Sequence, residues 1–178
     1  MNTIYNIELT EDDYLNKNYN FQPELTNTLD NLNSDFNQNI INQIILWKVN
    51  RFSAFDENTL ELLNTINKEE TIINMDFTKR ILAQLLSKKG VQLPMASTIL
   101  RFKNPNIYQI IDQRVYRFIT GENLPNYFAS TTKQIDLYID YLNKLKLVCL
   151  EKNINFTLSD RIIYELDKKY NKDEKIKY

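Results

Sequence analysis

The chain has 178 residues, enough for one domain with a real core or for two small lobes sharing one, and too few for two independent domains of usual size. Apolar residues make up 43% and charged residues 25%, an ordinary globular balance; the formal net charge of -1 gives no global attraction for a polyanion, so a nucleic-acid partner must rest on a local basic face. The absence of histidine and the single cysteine, Cys149, exclude an internal disulfide, a multi-cysteine zinc or iron-sulfur site and an imidazole base, which leaves carboxylates, lysines, hydroxyls and backbone groups to carry any chemistry. No metal and no cofactor are expected. No apolar run reaches the roughly eighteen residues of a membrane span, and "MNTIYNIELTEDDY" is acidic and polar where a signal peptide is basic and then apolar, so a cytoplasmic chain with no membrane partner is expected.

With only 2 glycines and 4 prolines, turn chemistry is too sparse for a many-stranded β fold, and the hydrophobic periodicity is helical almost throughout. Thr10 caps a short helix with Glu11, Asp12 and Asp13 in its first turn, where negative charge suits the dipole. Ser34 caps a helix running to about Arg51, whose broad apolar face carries Phe36, Ile40, Ile41, Ile44, Ile45 and Trp47. Asp56 caps "ENTLELLNTI", with Leu60, Leu63 and Ile66 on one face, and Asp76 opens "FTKRILAQLLSKK", with a core stripe of Phe77, Ile81, Leu82 and Leu85. "PMASTILRF" follows a tight turn, and "QRVYRFIT" is ended by Gly121. A long amphipathic helix spans about Ser130 to Lys152, a last one about Ser159 to Lys169, and the charged tail "NKDEKIKY" frays. The pattern predicts an all-α protein of about eight helices. It is expected to be one compact unit, with a hairpin lobe over about 36–125 and a second lobe from 1–35 plus 130–178 sharing a cleft.

The turn in "KKGVQLPMASTILRF", residues 88–102, has a physical reading. Lys88 and Lys89 close one helix, Gly90 is free to take positive φ, and Pro94 stands at the first helical position, where its fixed φ suits and its missing N–H is no loss. Ala96 and Ser97 are small where the second helix passes close to the first. Such a helix-hairpin-helix presents backbone N–H groups beside a helix N-terminus, a phosphate clamp that Lys88 and Lys89 reinforce; otherwise it is a plain helix-helix connection.

Together with "IIDQRVYRF" downstream, the hairpin resembles the helix-hairpin-helix DNA glycosylases. Gly90 and Val91 match the family's turn, Ala96 its alanine, Leu100 its buried leucine, Asp112 its catalytic aspartate, Val115 its apolar residue and Arg117 its arginine. The resemblance covers Leu85 to Gly121, about a fifth of the chain. It implies a fold of two helical lobes around a cleft, double-stranded DNA as partner, and base removal at Asp112. Gln92 replaces the second glycine of the turn. Pro94, eighteen residues before Asp112, occupies the position of the Schiff-base lysine in bifunctional members, and a proline cannot form an imine. The cluster-bearing members need four cysteines. The resemblance is therefore to single-function glycosylases that use water as nucleophile.

Hydrolysis of an N-glycosidic bond passes through an oxocarbenium-like state, which a fixed carboxylate near the sugar stabilises while orienting or deprotonating water. Asp112 follows apolar Ile110 and Ile111 and precedes a helix; burial raises its pKa and the helix N-terminus lowers it. It also reads as a plain N-cap, and the two roles are compatible. For a flipped base, the helix ending "IILWKVNRF" offers Trp47 as a stacking ring, with Lys48, Arg51 and Gln43 as polar readers. The alternative is Trp47 in the core with Lys48 snorkelling to solvent. From Lys79 to Arg117 eight basic residues face one acid, Asp112. This asymmetry, with Lys88, Lys89, Gly90, Val91, Gln92, Arg101, Arg114 and Arg117 as DNA contacts, argues for a polyanion; a solvated helix face is the alternative. The expected function is a monomeric, monofunctional DNA glycosylase, in repair or in defence. Against it stand a non-catalytic DNA-binding protein of the same fold, in repair or defence against foreign DNA, and a helical protein-interaction module.

Overall fold

The computed structural model describes residues 21–33, 35–49 and 53–176, all helix, turn and loop, with no β-strand among the described residues. The helix expected at Thr10, the cap expected at Ser34 and the side chain of Arg51 lie outside the described residues. The chain falls into two compact units, Met1–Phe52 and Ser53–Tyr178.

In the first unit, α1 (Pro23–Asp30) packs on α2 (Gln38–Lys48). The sequence reading contained no helix at α1. It starts because Pro23 sits in the first turn, where its lost N–H has no partner to miss, and Glu24 meets the positive end of the dipole. Asn37 caps α2 by accepting the Ile40 N–H at 3.1 Å, so this helix starts later than expected and leaves Phe36 ahead of it and exposed. Of the expected apolar face Ile40 is buried, whereas Ile41 and Ile45 are exposed.

The second unit strings together α3 (Glu57–Asn64), α4 (Met75–Leu86), α5 (Leu93–Lys103), α6 (Gln113–Thr120), α7 (Thr131–Lys152) and, after the 3-10 turn Phe156–Leu158, α8 (Ser159–Tyr170). Its boundaries follow local chemistry. Asp56 caps α3 by accepting the Thr59 N–H at 2.8 Å, and Ser130 caps α7 by accepting the Lys133 N–H at 3.2 Å. Gly121, at φ 76, stops α6 in a conformation that a side chain rarely adopts. α4 is capped by Asn74, which accepts the Phe77 N–H at 3.0 Å; Asp76, expected to open this helix, lies further in, as an acid in the first turn.

One hydrophobic cluster fills this unit. Ile81, Leu82 and Leu85 of α4 are fully buried, as are Leu100 of α5 and Leu145 of α7; Leu63 and Ile66 are also buried, while Leu60 turns to solvent. α7 packs against α4 and α6, and α8 packs on α6. Ala96 and Ser97 are fully buried on α5, which packs on α4. No helix among the described residues is long and apolar enough to cross a membrane.

Candidate functional site

α4 ends at Leu86, and the turn that follows closes with the Val91 N–H donating to the Lys88 carbonyl at 3.1 Å. Gly90 takes φ 81, and an added Cβ there would meet Ser53 Oγ at 3.0 Å, an oxygen already donating to the Lys89 carbonyl at 2.9 Å. Gln92 stands at the N-cap of α5 without a side-chain bond to the helix, and Pro94 is in the first turn, second rather than first. The start of α5 therefore keeps the Leu93 and Met95 N–H groups outside the helix's own ladder.

The segment 109–111 is held between α5 and α7 by hydroxyl groups. The Ile111 N–H donates to Ser97 Oγ at 3.2 Å, Tyr138 Oη donates to the Gln109 carbonyl at 2.9 Å, and Tyr141 Oη donates to the Ile110 carbonyl at 2.5 Å. Burial pushes both phenols well above the ordinary tyrosine value, so they stay protonated and keep donating. Held this way, Asp112 emerges at the N-cap of α6, where its Oδ1 accepts the Val115 N–H at 2.8 Å. Burial raises its carboxyl above the usual aspartate value, against the backbone N–H groups of Val115 and Arg114 and the Arg114 charge; Asp160 adds to the rise. In the competition that the sequence leaves open, burial wins.

A cavity of about 570 Å³ opens at this carboxylate. It is lined by Gln92, Leu93 and Pro94 from the start of α5, by Asp112, by the loop 124–128 and by Gln134 of α7. The hairpin and the aspartate thus meet at one hollow, with Pro94 in its wall. A smaller cavity of about 230 Å³ lies against Asp112 from the side of α8 and includes Asp160, Arg161 and Glu165.

The expected basic face is largely consumed inside the protein. Asp167, fully buried on α8, accepts Arg114 Nη1 at 3.0 Å, Arg117 Nε at 2.7 Å and Arg117 Nη2 at 2.8 Å, with Asn171 Nδ2 at 2.8 Å as a fourth donor. Burial alone would raise this carboxyl, but Arg117, Asn171 and Arg114 donate to it and hold it below the ordinary value. Arg101 is buried against Asp160, Nε to Oδ2 at 3.4 Å, and its Nη2 donates to the Thr157 carbonyl at 3.1 Å. Lys88 is ion-paired with Asp56, and Lys103 donates to Asn64 Oδ1 at 2.9 Å. Arg101, Arg114 and Arg117, read from sequence as DNA contacts, are structural ties between helices, because the acids of α8 reach them across the fold. Val91 is buried in the core, and Lys89, Gly90 and Gln92 remain exposed at the hairpin.

The expected base pocket belongs to the other unit. There Trp47 Nε1 donates to Thr26 Oγ1 at 2.9 Å, its ring meets Phe21 edge to face at 5.2 Å, and its carbonyl accepts Gln22 Nε2 at 3.0 Å. These contacts tie α2 to α1. Gln43 is half-buried and Lys48 exposed, while Arg51 lies outside the described residues. The sequence reading missed Gln113, Tyr127 and Gln134, all of them at the Asp112 cavity. Compared with known proteins, the chain matches no family model, no curated protein sequence and no solved structure.

Proposed function

We propose that the Ser53–Tyr178 unit removes a base from double-stranded DNA by hydrolysing its N-glycosidic bond, with Asp112 as the working carboxylate and water as the nucleophile. One observation carries this reading: a half-buried aspartate, its proton affinity raised by burial, lines a cavity together with the first turn of α5 behind a left-handed glycine. The C1′–N bond breaks with its electron pair leaving on the base, the water oxygen bonds to C1′, and the water proton passes to Asp112. An ionised Asp112 faces the positive charge that develops on the sugar, in a site where partial burial strengthens that attraction. The Leu93 N–H at the start of α5 and the Lys89 ammonium supply the phosphate contact of the hairpin. Pro94 lines the cavity and offers no amine, which fits simple base removal rather than strand nicking.

A second reading, DNA binding without turnover, is favoured by the engagement of Asp112 Oδ1 as the cap of α6. Duplexes carrying deaminated, alkylated, oxidised or hypermodified bases, incubated with the protein and then cleaved with alkali at abasic sites, separate the two. Turnover by the parent and its loss in Asp112→Asn, which still caps, is the expected result. Equal cutting by Asp112→Asn would remove Asp112 from the mechanism, and binding with no cutting of any substrate would leave the second reading.

A further inference from the structure

The loop between α6 and α7 is anchored by the residue next to Asp112. Gln113 Nε2 donates to the Leu124 carbonyl at 2.7 Å and to Asn126 Oδ1 at 3.0 Å, and Gln113 Oε1 accepts the Leu124 N–H at 3.0 Å. Leu124 is itself buried, and Phe128 packs against the core, so the loop is held on both sides of Tyr127. Tyr127 nevertheless stands 84% exposed. Its ring borders the 570 Å³ cavity that holds Asp112 and also an adjoining cavity of about 610 Å³ along α7. A large ring exposed on an anchored loop, beside a hollow, offers a flat apolar face that the other described residues leave open. Gln134 lines the same cavity and is half-buried, and its side-chain amide takes no part in the hydrogen bonds among the described residues.

We propose that Tyr127 is the stacking platform, and Gln134 the edge reader, for the flipped base that Asp112 detaches, with Gln113 as the positioning residue that sets the platform beside the carboxylate. The inference rests on the glycosylase reading and adds the chemistry of recognition to it. The ligand is a flat heteroaromatic ring that carries a hydrogen-bond donor and acceptor side by side. Tyr127 supplies a face that any base can stack on, and the Gln134 amide, which donates and accepts from one plane, discriminates between edges. Recognition and chemistry then reside in one unit and do not require Trp47.

The test is a cycle of protein variants against DNA with and without the base, in an Asp112→Asn background that prevents turnover. Labelled duplexes carry a central mispaired adenine, guanine, cytosine or thymine, or a tetrahydrofuran residue with no base, and affinities are read by fluorescence anisotropy. Tyr127→Ala is expected to weaken at least one base-bearing duplex by about tenfold or more while changing the tetrahydrofuran duplex by less than about twofold. Tyr127→Phe keeps the face and stays within about twofold on all five, and Gln134→Ala alters which base binds best. Thermal melts of these variants match the background protein, since Tyr127 is exposed. If Tyr127→Ala weakens all five duplexes alike, or none, the platform is wrong. Base-selective loss in a protein whose parent cuts nothing overturns hydrolysis and keeps the platform, whereas full turnover by Tyr127→Ala in the parent sequence overturns the platform and keeps hydrolysis.

Discussion

Replacing Asp167 with asparagine should expose what the arginines of α6 are for. The parent carboxylate is fully buried and accepts four donors, three of them from the guanidinium groups of Arg114 and Arg117. In Asp167→Asn one acceptor oxygen becomes an amide donor facing those guanidiniums, and the buried charge that neutralised them disappears. Breaking a buried ion pair from one side costs about 3–5 kcal/mol, a large share of the roughly 5–15 kcal/mol that holds a domain together. For a unit of this size that corresponds to a fall in melting temperature of about 10–20 °C, read by circular dichroism. The acid limb of stability should also change. A carboxyl held below its unfolded value stabilises the fold above that value, and the contribution is lost as pH falls through the folded value, so the parent should weaken below about pH 4 and Asp167→Asn should show less of that dependence. A loss under about 1 kcal/mol, the worth of an exposed pair, would refute the reasoning and return Arg114 and Arg117 to the surface.

Gly90→Ala should cost about 1–2 kcal/mol in urea unfolding, because φ 81 is strained for a side chain and Ser53 Oγ lies 3.0 Å from the added carbon; an unchanged midpoint would mean that the turn relaxes freely. Asp112→Asn should melt at or above the parent at neutral pH, since a raised carboxyl value means that the fold prefers the protonated form and loses stability as pH rises through it, and asparagine still caps; a clearly lower melting temperature would count against burial as the cause. If the ionised Asp112 is the working form, kcat/KM should fall as pH drops through a value above the ordinary 3.8, and an acid limb at or below 3.8 would contradict it. Lys89→Ala should reduce the salt slope of duplex binding by about one, whereas Arg117→Ala should lower stability and leave the slope unchanged; the opposite pattern would reverse their assignments.

Local signals in the sequence transferred well to the structure. Asp56, Ser130 and Gly121 set helix ends as their chemistry suggests, Gly90 takes the left-handed turn, and Asp112 caps α6 at the head of a cavity. What failed was long-range. A count of charges along 79–117 sees one acid, but Asp56, Asp160 and Asp167 lie outside that window and fold back onto Lys88, Arg101, Arg114 and Arg117. α1 was hidden because "PELTNTLD" has only two apolar residues and gives a weak stripe. Asn74 and Asp76 are both good caps two residues apart, and nothing in the sequence chose between them. The loop carrying Tyr127 has turn chemistry and no periodicity, so its aromatic residues read as incidental until α6 and α7 placed them beside Asp112.

The hydroxyl anchors of segment 109–111 separate the motif from the module. Ser97 lies 14 positions from the amide it holds, within the stretch Leu85 to Gly121, but the bonds from Tyr138 and Tyr141 span 29 and 31 positions and come from α7, beyond it. A peptide of the hairpin and α6 would carry every letter of the pattern and lack the outer half of the frame around its carboxylate. The frame around Asp112 is therefore complete only when α7 is docked, and local undocking of α7 would remove two of the three bonds that hold segment 109–111 while leaving the Ser97 bond in place.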